Sequence, residues 1–189
     1  MRMSLRFWLA AAAALGGWSV SFAGIALRPG HAAVDVPFAS APKAFTAAAT
    51  FRPEQVPQNL AIPGFVYACG DALSNGFALR LQSQGENYVV QLCMGDGKGA
   101  AAWVNDVQPE LRPGRWSQAV VCWDGAKLAL HVNGVKMGET PRCGAFAPAA
   151  NGLLSLNRAA HGYQYYPLDL AEFRLEERAW CRTQSDRGR

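Results

Sequence analysis

The chain has 189 residues, half of them hydrophobic, with 18 Lys and Arg against 14 Asp and Glu. That is one domain by length, with a core large enough to stand without a metal or disulfide staple. Its charge sits at the ends: setting aside Arg2, Arg6 and the four Arg and one Asp of the last twelve residues, residues 24–177 carry 12 basic (18−2−4) and 13 acidic (14−1) groups. A nucleic-acid footprint needs a clustered basic face, and this balance excludes one.

Residues 1–23 read as a secretory signal peptide. Arg2 and Arg6 form the positive n-region, Phe7 to Leu15 the apolar segment, and Ser21-Phe22-Ala23 the small-residue cleavage site. The competing reading is an uncleaved anchor, since Phe7 to Leu27 carries no charge over a length that spans a bilayer. Residues 24–179 form the folded domain and residues 180–189 a basic polar tail. The mature protein is expected to be secreted or periplasmic, with no membrane partner and no nucleic acid.

The predicted elements are short strands. Val34 to Pro37 is one, closed by its proline. Phe45 to Phe51, made of Ala and Thr, is a second, packed in mid-sheet and ended by Arg52-Pro53. Glu54 to Pro63 reads as a polar connection. Phe65 to Cys69 and Phe77 to Gln82 form a hairpin across Gly70–Gly76. In its second strand Phe77, Leu79 and Leu81 point one way and Arg80 and Gln82 the other. A Gln-Gly-Glu turn leads to a strand from Asn87 to Met94, and Asp96-Gly97-Lys98-Gly99 to one from Ala100 to Val107.

Arg115 to Met137 then reads as three strands joined by Asp124-Gly125 and Asn133-Gly134. Both dipeptides tolerate positive φ at the two central positions of a type I′ turn. Between them Leu128, Leu130 and Val132 face one side, and Lys127, Ala129 and His131 the other. Gly138 to Ala150 is read as irregular, Leu153 to Leu156 as a strand, and Asn157 to Tyr166 as a loop. Leu168 to Leu175 alternates imperfectly. This rhythm of strands is that of an all-β sandwich.

Five cysteines follow the leader: Cys69, Cys93, Cys122, Cys143 and Cys181. Export permits disulfides, an odd count leaves one thiol over or paired to another chain, and connectivity stays open. Cys122, inside a Val-rich strand, also reads as a small buried apolar residue. No spacing suggests zinc.

PGRWSQAVVCWDGAKLALHVNG, FTAAATFRPEQ, GDALSNGFALRL, PLDLAEFRLEERA and GIALRPGHAAVDVP stand in an order that resembles the laminin G-like, concanavalin A-like lectin and glucanase jelly rolls. The resemblance covers Ile25 to Ala179 and implies an antiparallel two-sheet jelly roll, with Ile25 and Leu27 in a sheet rather than in lipid. It does not by itself imply one function, because the fold hosts lectins, adhesion modules and glycanases.

The related laminarinase-type hydrolases carry Glu-x-Asp-x-x-Glu on one strand. The matching positions here are Pro167, Asp169 and Glu172, so the first carboxylate is missing, and strict alternation would point Asp169 and Glu172 to opposite faces. The chain is therefore expected not to be an enzyme. In the pentraxin branch calcium is held by a hairpin matching Ser74-Asn75 and an acidic loop matching Asn157 to Tyr163. That loop holds Arg158 and no carboxylate here, so no cofactor is expected, although Asp71 with Asn75 leaves a weaker calcium site open.

The candidate ligand contacts are His161, Tyr163, Tyr165, Asn75 and Asp71, an aromatic and polar set on rim loops. Trp103 is a further stacking candidate, with burial as its plainer role. His131 is expected to be solvated. The expected function is recognition of a glycan or an extracytoplasmic protein without catalysis. The alternatives are a glycan-active hydrolase and a structural module of a cell-envelope assembly.

Overall fold

The structure is a computed structural model. It describes residues 19–27, 34–37, 43–56, 61–62, 65–67, 76–95, 101–104, 111–141, 153–156, 164–165 and 167–177. The leader before Ser19, the Asp96–Gly99 turn, most of the Asn157–Tyr166 loop and the tail after Trp180 lie outside them.

The described residues form strands and turns and no helix. The strands are β1 (Ser19–Leu27), β2 (Val34–Pro37), β3 (Phe45–Pro53), β4 (Ala61–Ile62), β5 (Phe65–Tyr67), β6 (Phe77–Gln84) and β7 (Asn87–Gly95). They continue with β8 (Ala101–Val104), β9 (Ser117–Trp123), β10 (Lys127–Val132), β11 (Val135–Pro141), β12 (Leu153–Leu156), β13 (Gln164–Tyr165) and β14 (Leu168–Glu176). One sheet runs β1-β14-β3-β9-β10-β11. The other runs β13-β4-β6-β5-β12-β2, with β7 on the free edge of β6 and β8 on β7. All pairs are antiparallel except β13 with β4.

Several elements differ from the sequence reading: β3 runs on through Arg52 to Pro53 opposite Asp169 and Leu168, and β6 runs on to Gln84 opposite Asn87. β1 starts at Ser19, ahead of the boundary expected after Ala23, since Ser19 to Ala23 pair with Glu176 to Glu172. β11 runs on to Pro141 opposite Lys127, so the irregular stretch does not begin at Gly138. The polar connection after Glu54 contains β4, and the loop after Asn157 contains β13.

Period-two alternation builds the core. Phe45, Ala47, Ala49 and Phe51 of β3 and Ala119, Val121 and Trp123 of β9 point inward. They meet Phe77, Leu79 and Leu81 of β6 and Tyr88, Val90, Leu92 and Met94 of β7 in one buried cluster. The small side chains of β3 let β14 and β9 close on either side of it. The Phe45 and Phe77 rings stack between the sheets, 4.9 Å apart at 20°. The Tyr88 hydroxyl and Ser117 Oγ, 3.1 Å apart, make a buried polar link between the same two layers. Burial pushes the Tyr88 phenol up, and the Ser117 hydrogen bond offsets part of that.

The two Gly turns of the central meander differ. Asn133 and Gly134 have φ of 50° and 81°, both positive as a type I′ turn requires. At Asp124-Gly125 only Gly125, at 95°, is left-handed. Asp124 Oδ1 instead accepts the N–H groups of Ala126 at 2.8 Å and Lys127 at 2.7 Å, in a connection of three residues, Asp124 to Ala126. Partial burial raises the pKa of this carboxyl, but the two backbone donors outweigh that, and it stays below its ordinary value.

Asn133 also grips β9: it donates its N–H to Gln118 O at 2.9 Å, and its Oδ1 accepts the Gln118 N–H at 2.8 Å. Asn133→Ala is therefore expected to cost about 1–3 kcal/mol, from left-handed strain plus a lost hydrogen bond. Asn133→Gly, which keeps the backbone conformation, should cost clearly less, as read from urea midpoints.

Candidate functional site

The β6–β7 hairpin sets the geometry. Its turn is Gly85-Glu86, with φ of 62° at Gly85, so residues equally far from the turn face each other. Ala78 pairs with Cys93, Arg80 with Gln91 and Gln82 with Val89. The intervening residues point into the core, which places these pairs on the outer face of the second sheet.

Along this face burial falls off in one direction. Ala78 and Cys93 are each 2% exposed and Arg80 is 9% exposed, whereas Gln91 is half-buried and Gln82 is open to solvent. The chain itself covers one end and leaves the other accessible.

The polar side chains are joined head to tail. Arg80 Nε donates to Gln91 Oε1 at 3.0 Å, and Gln91 Nε2 donates to Gln82 Oε1. A buried guanidinium, a half-buried amide and an exposed amide thus follow one another across this face, joined by hydrogen bonds. By register the row through Ala78 and Cys93 continues to Val66, Ser155 and Asp35 on one side and to Trp103 on the other.

Asp71, Asn75, His161 and Tyr163 lie outside the described residues, and of Tyr165 the backbone alone is described. Tyr165 pairs with Ile62 of β4, and β4 meets β6 at Leu81. The turn that carries Asp71 and Asn75 joins β6 at Phe77, four residues back, or about 13 Å along the strand.

The expectation that Asp169 and Glu172 point to opposite faces is overturned by a bulge. Leu170 pairs with Phe51 and Glu172 with Thr50, so Ala171 is one residue too many. The extra residue flips the alternation: Leu168 and Leu170, then Phe173 and Leu175, are buried, and Asp169 and Glu172 share the outer face of the first sheet. This also accounts for the imperfect pattern of the strand.

Asp169 and Glu172 each have an arginine partner. Asp169 Oδ2 accepts from Arg52 Nη2 at 2.6 Å and from Nε at 3.2 Å, and Glu172 pairs with Arg174. Arg52 also lies over the Trp116 ring, 4.9 Å from its centroid, with Trp116 47% exposed. His131, on the same face, is half-buried rather than fully solvated, and burial followed by Lys136 pushes its pKa down.

Among the described residues no group of three or more His, Cys, Asp or Glu could hold a metal ion. No disulfide joins two described cysteines: Cys93 carries a buried thiol, and Cys122 lies 3.7 Å from Thr46 Oγ1. No helix among the described residues is long and apolar enough to cross a membrane.

Comparison with known proteins agrees with this architecture. No curated protein matches the chain. Among solved structures, a carbohydrate-binding module, CBM40, of the Ruminococcus gnavus IT-sialidase, bound to α2,3-sialyllactose, superposes with a TM-score of 0.66 at 11% identity, covering 88% of this chain and 95% of its own. Domain 4 of AbnA, a GH43 extracellular arabinanase from Geobacillus stearothermophilus in complex with arabinotriose, gives 0.60 at 18% identity, covering 87% and 77%. A SAP-like pentraxin from Limulus polyphemus gives 0.56 at 13% identity, covering 84% and 76%. The laminin G-type family model described as the concanavalin A-like lectin/glucanases superfamily matches residues 28–184. With these two sheets, this core and that match, the chain belongs to the concanavalin A-like lectin/glucanase superfamily.

Proposed function

We propose that the protein is an exported module that binds glycans without cleaving them, using the outer face of the second sheet. The observation that carries this is the Arg80–Gln91–Gln82 row, linked side chain to side chain on a face that opens from a covered end to solvent. Two amides and a guanidinium suit the dense hydroxyls of a sugar, because the amides give and take hydrogen bonds and the guanidinium gives several. Two similar structures are described with saccharides bound, arabinotriose in one and sialyllactose in the other. The rim residues Asp71, Asn75, His161, Tyr163 and Tyr165 would extend the contact, and no cofactor is required.

A glycan array with the mature protein tests this, followed by titration calorimetry on any hit with and without EDTA. Binding unaffected by EDTA is expected. An array with no hit would leave a protein partner or a structural role in the cell envelope.

One observation favours a hydrolase instead: the bulge puts Asp169 and Glu172 on one face, opposite Arg52 and Thr50 of β3, which are two residues apart. Against it, both are already paired with arginine. Product analysis of the bound glycan separates the two, since release of shorter saccharides would establish cleavage.

Export also bears on the cysteines. Cys122 is proposed to form a disulfide with a cysteine outside the described residues, with Cys93 kept as a thiol. Alkylation of the denatured, unreduced protein should then find one or three thiols, and five would exclude the bridge.

A further inference from the structure

The edge strand β1 overlaps the expected leader. A cut after Ala23 would remove Ser19 to Ala23, five of the nine residues of the strand. The ladder with β14 indicates that these five were built to stay. Val20, Phe22, Ile25 and Leu27 stand opposite Leu175, Phe173, Leu170 and Leu168, the buried row of β14. Ser19, Ser21, Ala23 and Ala26 stand opposite Glu176, Arg174, Glu172 and Asp169, the outward row.

The apolar residues of β1 are two apart except between Phe22 and Ile25, where they are three apart. Gly24 is the residue skipped, and it falls opposite Ala171, the extra residue of the β14 bulge. The alternation of both strands thus breaks at the same level. Secretion requires of an apolar leader only length and hydrophobicity, so it supplies no reason for a matched break. Pairing along the whole of β14 does, because a one-residue slip would turn every side chain to the wrong face.

We infer that the leader is cut ahead of Ser19 and that Ser19–Ala23 remains as the first half of the edge strand. The upstream sequence has room for a complete leader. Arg2 and Arg6 precede an uncharged run of eight residues, Phe7 to Ala14, which falls within the usual length of an h-region. Ala14-Leu15-Gly16 follows, with small residues at the two positions that matter for a cut after Gly16. Gly17-Trp18 would then lead directly into β1.

This inference rests on the export reading, and the experiment separates the two. The full chain is expressed in a bacterium that exports it, and the mature protein is read by N-terminal sequencing and intact mass. A first residue between Leu15 and Ser19 is expected. A first residue of Gly24 overturns the inference and leaves export standing, as does an exported chain that keeps residues 1–18, whereas a chain that keeps them and stays in the cytoplasm overturns export itself. Phe22→Asp in the full chain gives a second readout. It should change the mass of the mature protein and lower its thermal midpoint by several degrees, and an unchanged mature mass and midpoint overturns the inference.

Discussion

Phe77→Ala is expected to lower the unfolding free energy by about 3–5 kcal/mol, the usual cost of emptying a buried aromatic site. Phe77 opens β6 in one sheet and stacks on Phe45, which opens β3 in the other. Both rings have no exposure. The substitution therefore removes burial and ring contact at one point where the two layers meet. Sheets cannot collapse into the gap as freely as a loop, because each backbone is held by its ladder on both sides. The stacked pair adds about 0.5–1.5 kcal/mol beyond the buried area, so Phe77→Leu should recover only part of the loss. Val135, an exposed apolar residue, serves as control: Val135→Ala should stay within about 0.5 kcal/mol. Urea unfolding followed by tryptophan fluorescence measures all three, and a Phe77→Ala cost under about 1 kcal/mol would mean the sheets do not pack as described.

Gln91→Leu is expected to weaken binding of any array hit at least tenfold, about 1.4 kcal/mol. Gln91 is the middle of the row: its oxygen holds Arg80 Nε and its amide holds Gln82. Leucine keeps the bulk but leaves Arg80 without that acceptor and Gln82 without that donor. Gln82→Ala is the cleaner companion, because Gln82 is exposed and its removal should leave stability within about 0.5 kcal/mol. Arg80→Lys tests the planar fork, which an ammonium cannot reproduce. Full affinity in Gln82→Ala and Gln91→Leu together would place the ligand elsewhere, and the exposed Trp116 beside Arg52 would be the next surface to probe.

Much of the fold was legible in particular residues. The alternation of Leu128, Leu130 and Val132 set which side of β10 is buried, and Asn133-Gly134 set its turn. The same logic misplaced Asp124-Gly125, because a carboxylate that can take two backbone donors competes with a two-residue turn. It also failed at Ala171, since a bulge inserts a residue without any mark in composition.

The Arg80 row was partly within reach. With Gly85-Glu86 as a two-residue turn, Arg80 and Gln91 are equidistant from it, and that count predicts their pairing. What no count supplies is the burial of Arg80, which depends on chain arriving from elsewhere to cover the face. The rim contacts drawn from His161 and Tyr163 depend on loops outside the described residues.

Among the described residues β11 is the last strand of the first sheet, with no strand paired to its outer side. It carries Lys136 and Glu139, which pair with each other, and ends on Pro141, whose ring nitrogen has no hydrogen to offer. A neighbouring molecule trying to add its own strand there would meet charge first and then a missing donor. This border is thereby guarded against end-to-end polymerisation, so a crowded solution of the protein should grow no fibrils from that side.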